Sequence, residues 1–253
     1  MRLSVLRWSC GIGLLLAIGW LAGADRSVCP TVAWAQDDAS PKHLAKAIQL
    51  LKDVLPENTS YRHKNNVVTW RDIDGAKLSE CHADCSGFLN VLLVKSYGVN
   101  QEYWQQWLGA KRPVARHYYQ AIAAEKGFKK INSIQDVRPG DIIAIRYEED
   151  ANNTGHVMLV EKSPKPHKAS EPLIAETQQW EVGVLDESTS GHGKNDSRRR
   201  PDGTYHGGLG RGSVRLYTNS SGAIVGYSWS TLAKSMYYPE KDRPLAVGRW
   251  QQK

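Results

Sequence analysis

The chain has 253 residues, a formal charge of +7 and four cysteines. With 41% hydrophobic and 9% aromatic residues it can build a packed core, which excludes disorder as its main state, and four cysteines in so long a chain exclude a disulfide-stapled mini-protein. The length fits one large domain or two small ones, and beyond the very start no apolar run is long enough to span a membrane.

That start reads as a targeting segment. Arg2 and Arg7 precede the apolar stretch Cys10 to Ala24, which has the length of a signal-peptide core rather than of a spanning helix. Ala33-Trp34-Ala35 places small residues where a signal peptidase reads them, so cleavage is expected after Ala35 and the protein is expected to be exported, periplasmic or secreted, with no membrane span afterwards. Cleavage removes Arg2, Arg7, Arg26 and Asp25 and lowers the formal charge from +7 to +5; it also removes Cys10 and Cys29 and leaves only Cys81 and Cys85. Residues 36–253 then form a single domain.

Within that domain, residues 41–54 have the helical spacing Leu44, Ile48, Leu51, Leu55, with Pro41 suited to the first turn. Residues 85–97 are apolar around most of the circumference, as in a buried helix; Asp84 stands at its N-cap and Gly98 just past its end. A further helix is predicted over about 115–126. The pattern then turns to strands: Ile142 to Tyr147 after the turn Pro139-Gly140-Asp141, then His156 to Glu161, Leu173 to Ala175 and Gln179 to Leu185. Residues 187–212, rich in Gly, Ser, Arg and Asp, are predicted to be a long loop. A hairpin follows at 213–218 and 223–229, and a last strand at 244–250. Helices first and successive strands later predict one α+β domain with an antiparallel sheet.

The chemistry concentrates at Cys81-His82-Ala83-Asp84-Cys85-Ser86-Gly87-Phe88. Cys85 falls in the first turn of the buried helix, where free backbone N–H groups and the positive end of the dipole favour a thiolate. The same groups can donate to an oxyanion. Gly87 would let a substrate backbone approach, Ser86 lies beside it, and Asp84 would fix the entry of the loop. On residue types alone a buried structural cysteine is the bland alternative. A nucleophile needs a base, and among the histidines His156 stands out, because it opens an apolar strand directly after Gly155 and faces the side of Met158 and Val160.

Asp84-Cys85-Ser86-Gly87-Phe88, then Arg138-Pro139-Gly140-Asp141 and a strand, then Gly155-His156-Val157 together resemble the NlpC-type cell-wall peptidases, papain-like cysteine hydrolases of bacterial peptidoglycan. The resemblance covers roughly residues 80–187. It implies a papain-like fold with the nucleophile at the N-terminus of a buried helix packed on an antiparallel sheet. It further implies Cys85 as nucleophile, His156 as base, and a polar residue on the following strand that holds the imidazole. Asp186 is the first choice for that third catalytic residue, since an antiparallel return from 156–161 brings it back to His156; Glu176 competes if the hairpin is tighter, and His192 if the long loop folds in.

The sequence departs from that family in the stretch holding Tyr103, Trp104 and Trp107, an apparent insertion, and in the loop Gly191 to Arg200. Tyr61 can take the part of a substrate-site tyrosine, and His192 and Arg198 of the basic loop can bind a carboxylate of a peptide stem. Asp84, Ser86, Gly87, Tyr61, His192 and Arg198 are therefore the expected substrate contacts. Cys81 reads as a thiol packed under the site, with a disulfide to Cys85 or a shared metal as the other readings.

The expected function is thiol hydrolysis of an amide bond through an acyl-enzyme, on peptidoglycan stem peptides, with no metal or organic cofactor required. An amidase or acyltransferase acting on another exported substrate uses the same chemistry. An inactive cell-wall-binding module is the reading from a different class. No groove-reading motif or single-sign basic stripe points to nucleic acid.

Overall fold

The computed structural model describes residues 40–147 and 153–251, so the expected signal peptide, Cys10 and Cys29 lie outside the described residues. Helix α1 (Lys42–Asp53) follows Pro41 and buries Leu44, Ala47 and Leu50. Three short strands, β1 (Thr59–Tyr61), β2 (Val67–Thr69) and β3 (Glu80–Ala83), form a small sheet in which β3 runs parallel to β1 and antiparallel to β2. A single helical turn, α2 (Arg71–Asp74), lies between β2 and β3. Helix α3 (Cys85–Tyr97) starts at Asp84, whose side chain accepts from the Gly87 N–H, and ends at Gly98 in the left-handed region (φ 69°). Helices α4 (Gln101–Leu108) and α5 (Ala115–Ala123) follow, α4 being stopped in the same way by Gly109.

After α5 the regular elements are strands, apart from one short 3-10 turn (Ile134–Asp136). The strands β4 (Phe128–Ile131), β5 (Ile142–Arg146), β6 (Gly155–Pro166), β7 (Gln178–Ser188), β8 (Gly208–Thr218), β9 (Ile224–Ser228), β10 (Tyr237–Pro239) and β11 (Leu245–Trp250) join in one eight-stranded sheet. The order is β10-β9-β8-β7-β6-β5-β11-β4 and every pairing is antiparallel.

Both faces of this sheet are buried, and the period-2 geometry of a strand sorts its side chains between them. Ile142 and Ala144 of β5, Val157 and Leu159 of β6, and Leu185 of β7 join the helices in one core. Ile143, Ile145, Met158, Val160, Val182, Val184, Val214 and Leu216 form a second core on the opposite face, built almost wholly from the sheet itself. The sheet therefore curls over its own second face. The Ser133–Ala223 bridge and the Ile134 N–H to Gly222 O bond (3.0 Å) tie the segment after β4 to the β8–β9 turn.

This architecture corrects the expected α+β, papain-like fold. The protein is mostly β, an eight-stranded antiparallel sheet plus a three-stranded one with short helices, rather than a helix-on-sheet papain-like fold. The physical reason lies in the glycines and the alternation. Left-handed Gly98 and Gly109 stop α3 and α4, while apolar residues from Phe128 onward recur at strand spacing on both faces. β1 to β4 and β10 have no counterpart among the expected elements, and Leu173–Ala175 forms no strand. The long loop is shorter than 187–212, because β7 extends to Ser188 and β8 begins at Gly208. The aromatic stretch is core: Tyr103, Trp104 and Trp107 pack with Phe128 around Trp250.

Candidate active site

Cys85 is the first residue of α3 and 5% exposed. The Gly87 N–H is held by Asp84 Oδ1 (2.6 Å) and the Phe88 N–H by Asp84 O (2.9 Å), so the N–H groups of Cys85 and Ser86 are the donors left at this helix end among the described residues. Asp84 also accepts from Ser86 Oγ (2.8 Å) and from Arg112 (2.9 Å). Burial alone would raise its carboxyl, and these donors hold it below the usual range instead. Asp84 and Ser86 thus build the turn that carries Cys85, and both also line the pocket on its side. Gly87 serves packing as well: a Cβ there would stand 1.9 Å from the Asn66 amide, so the space beside it is already filled by the chain.

His156 opens β6 at the rim of the sheet, in register with Ile145, and lies close enough to Cys85 for the two groups to interact electrostatically. Gly155 before it has φ 131°, and a Cβ would meet the Ile145 carbonyl at 1.9 Å, so only glycine lets the strand enter there. Asp186 returns on β7 as antiparallel pairing requires, and its Oδ2 lies 2.6 Å from His156 Nε2. With Nε2 so engaged, Nδ1 is the nitrogen left for the sulfur. Burial would lower the His156 pKa; the nearby charges of Cys85 and Asp186 and the bond to Asp186 outweigh it and raise it to about 10. The ring is therefore an imidazolium at neutral pH.

Asp186 is itself held. Its Oδ2 also faces His192 Nε2 at 2.9 Å, and its Oδ1 faces Arg198 at 3.0 Å. Burial pushes this carboxyl up, but His192, Arg198 and the His156 bond drive it well below its ordinary value. Arg198 is 0% exposed and grips Asp196 through Nε (2.9 Å) and a terminal nitrogen (2.8 Å), while Asp196 also takes the His192 N–H (2.7 Å). His192 Nδ1 lies 2.8 Å from the Trp229 carbonyl, and the Trp229 ring touches both histidines, with centroids 4.8 Å from His156 and 4.7 Å from His192. His192 and Arg198, expected as substrate contacts, are buried supports of Asp186 instead. Glu176 is exposed in the β6–β7 connection (φ 59°) and takes no part.

Tyr61 reaches the site through the small sheet. It pairs with Ala83 in the parallel β1–β3 register, two residues before Cys85, and lines the same pocket as Cys85; burial first, then the Cys85 and Asp84 charges, raise its pKa. Cys81 lies beneath as a free, fully buried thiol near Glu187, and burial first, then the Glu187 charge, raises the thiol strongly. Burial also lifts Glu187 to about 9, so it is a neutral acid at pH 7. Two pockets share Tyr61, Asn153 and Gly155: one of about 200 Å³ on the Cys85 side and one of about 380 Å³ on the His156 side. Trp229, Arg112 and Asp196 were not among the sequence candidates. The one signal for them was Asp196 two residues before Arg198, an acid inside a basic loop.

No protein-family model matches the chain, and no solved structure matches it. A protein of Acanthamoeba polyphaga mimivirus named "Uncharacterized protein R653" is 38% identical over 224 residues, covering 84% of this chain and 98% of the viral protein. The chain belongs to that protein's family. The viral protein's name states no activity. Among the described residues no helix is long and apolar enough to cross a membrane.

Proposed function

We propose that the protein is a cysteine hydrolase that cleaves an amide bond through an acyl-enzyme, with Cys85 as nucleophile, His156 as proton carrier and Asp186 as the group that orients His156. The observation that carries this reading is the placement of Cys85 at a helix N-terminus within electrostatic reach of His156, whose Nε2 lies 2.6 Å from Asp186 Oδ2. A lone structural cysteine needs none of it. The ionised Asp186 favours the imidazolium form of His156.

In the proposed reaction the Cys85 thiolate attacks the carbonyl carbon, and the oxyanion faces the N–H groups of Cys85 and Ser86. His156 Nδ1–H then protonates the departing nitrogen, and the C–N bond breaks to leave a thioester. Water, deprotonated by the now neutral His156, attacks the thioester and releases the acid. Peptide stems of peptidoglycan, met by an exported enzyme, are the proposed substrates. Support comes from the sequence pattern around Cys85 and His156 and from an open cleft on either side of them.

Purified cell walls and a stem-peptide amide, incubated with wild type and Cys85→Ala, test the proposal. Release of new amines by wild type and loss of at least about 10³-fold in the variant are expected. Equal release by both refutes it.

A further inference from the structure

The larger of the two pockets contains a feature that the reaction leaves unused. Arg243, in the turn between β10 and β11, lines the same 380 Å³ space as His156. Its guanidinium carbon lies 4.0 Å over the Tyr238 ring and 4.7 Å over the Tyr147 ring, and both rings line the pocket too. The Tyr227 hydroxyl lies alongside, and the Arg243 N–H of the main chain is tied to Pro239 O at 3.0 Å.

Stacking on aromatic faces holds a guanidinium through its π-surface and leaves its N–H edge directed outward. Among the described residues no carboxylate pairs with Arg243, and no acidic side chain lines this pocket. The neighbouring pocket differs: its cation, Arg112, is already engaged by Asp84 at 2.9 Å. Arg243 is thus a half-buried fork held between aromatic rings, without an acid partner among the described residues, in a cavity of small-ligand size.

We propose that Arg243 binds a free carboxylate on the amine side of the scissile bond, so that the preferred substrates are peptides whose leaving amine belongs to an amino acid or short peptide bearing an unblocked carboxylate. The side follows from the proton transfer: His156 gives its proton to the departing nitrogen, so whatever that nitrogen carries lies on the His156 side, where Arg243 stands. This inference rests on the hydrolase reading for its direction, though not for the binding itself.

Two peptides identical except for a free carboxylate or a carboxamide on the amine-side residue test it. With wild type, the carboxylate form is expected to show a KM at least about tenfold lower with kcat little changed. Arg243→Met is expected to erase that difference, and Arg243→Lys to retain part of it, since it keeps the charge and loses the fork. The acid-against-amide comparison in wild type needs no variant, so a misfolded Arg243→Met would not obscure it. Calorimetric titration of both peptides into Cys85→Ala separates the two readings. A carboxylate preference in binding without turnover sinks the hydrolase and keeps the Arg243 site. Turnover of both peptides with equal KM sinks the Arg243 site and keeps the hydrolase.

Discussion

Asp186 is the residue on which the site turns. One carboxylate oxygen takes two imidazoles, His156 at 2.6 Å and His192 at 2.9 Å, and the other faces Arg198 at 3.0 Å. A carboxylate buried to 1% exposure survives ionised only with such company. Its charge sets the His156 proton, so Asp186→Asn is expected to cut Cys85-dependent turnover by about 10²–10⁴-fold, with the orienting bond made to the wrong tautomer. The alkaline limb of the pH–rate profile, governed in wild type by His156 near 10, is expected to move to lower pH in the variant. An unchanged limb would mean that Asp186 does not set the His156 proton.

At the scale of elements, helix α3 carries Cys85, the proposed nucleophile, and its start is built for rigidity. Asp84 satisfies the Gly87 N–H and holds Ser86 and Arg112 at once. Its removal frees donors at the helix end and leaves Arg112 without its carboxylate. Asp84→Ala is expected to cost about 1–2 kcal/mol, measured as a lower urea midpoint at constant slope, with Asp84→Asn retaining most of the cap. A variant as stable as wild type would show that the cap contributes nothing. The paired strands β6 and β7 do the corresponding work for His156, the proposed base. The antiparallel register from Leu159↔Leu185 brings Asp186 level with Met158, on the face it shares with His156 two residues along, within 2.6 Å of its ring.

Over the whole molecule the buried titrating groups give stability a defined pH dependence. His156 and Glu187 both bind protons more tightly folded than unfolded, near 10 against 6.5 and near 9 against 4.5. Their contributions are full below the unfolded values and fall away as pH rises through the folded ones. Asp186 and Asp84 work oppositely: their depressed values give stability that is lost as pH falls below 3.8. Stability is therefore expected to decline between about pH 4.5 and pH 10, most steeply between about 6.5 and 9 where both groups act, and Glu187→Gln, which stays neutral, to flatten the part of that decline below pH 9. Denaturant titrations at fixed salt across this range check it; a rise in stability with pH would contradict the assigned protonation states. The same large-scale curl of the sheet brings Trp229, at the end of β9, against His156 and His192.

The sequence by itself determined what short-range forces control. The limits of α3 follow from Asp84 and Gly98, the order of β5 to β9 from apolar alternation, and the candidacy of Cys85 and His156 from their positions at a helix start and a strand start. Asp186 was legible too, because antiparallel return is a local rule applied once. Tertiary structure alone decided the rest. A polar loop of Gly, Arg and Asp has the same composition whether it is solvated or folded inward, so the burial of His192, Asp196 and Arg198 around Asp186 is invisible until β7 and β8 pair. Gly87 leaves room that either a substrate or Asn66 can fill, and only packing chooses Asn66. The mostly β architecture was hidden for a similar reason: strands of three or four residues, such as β1 to β4, have too few alternations to register as a period, and are stabilised by partners distant in sequence rather than by their own residues.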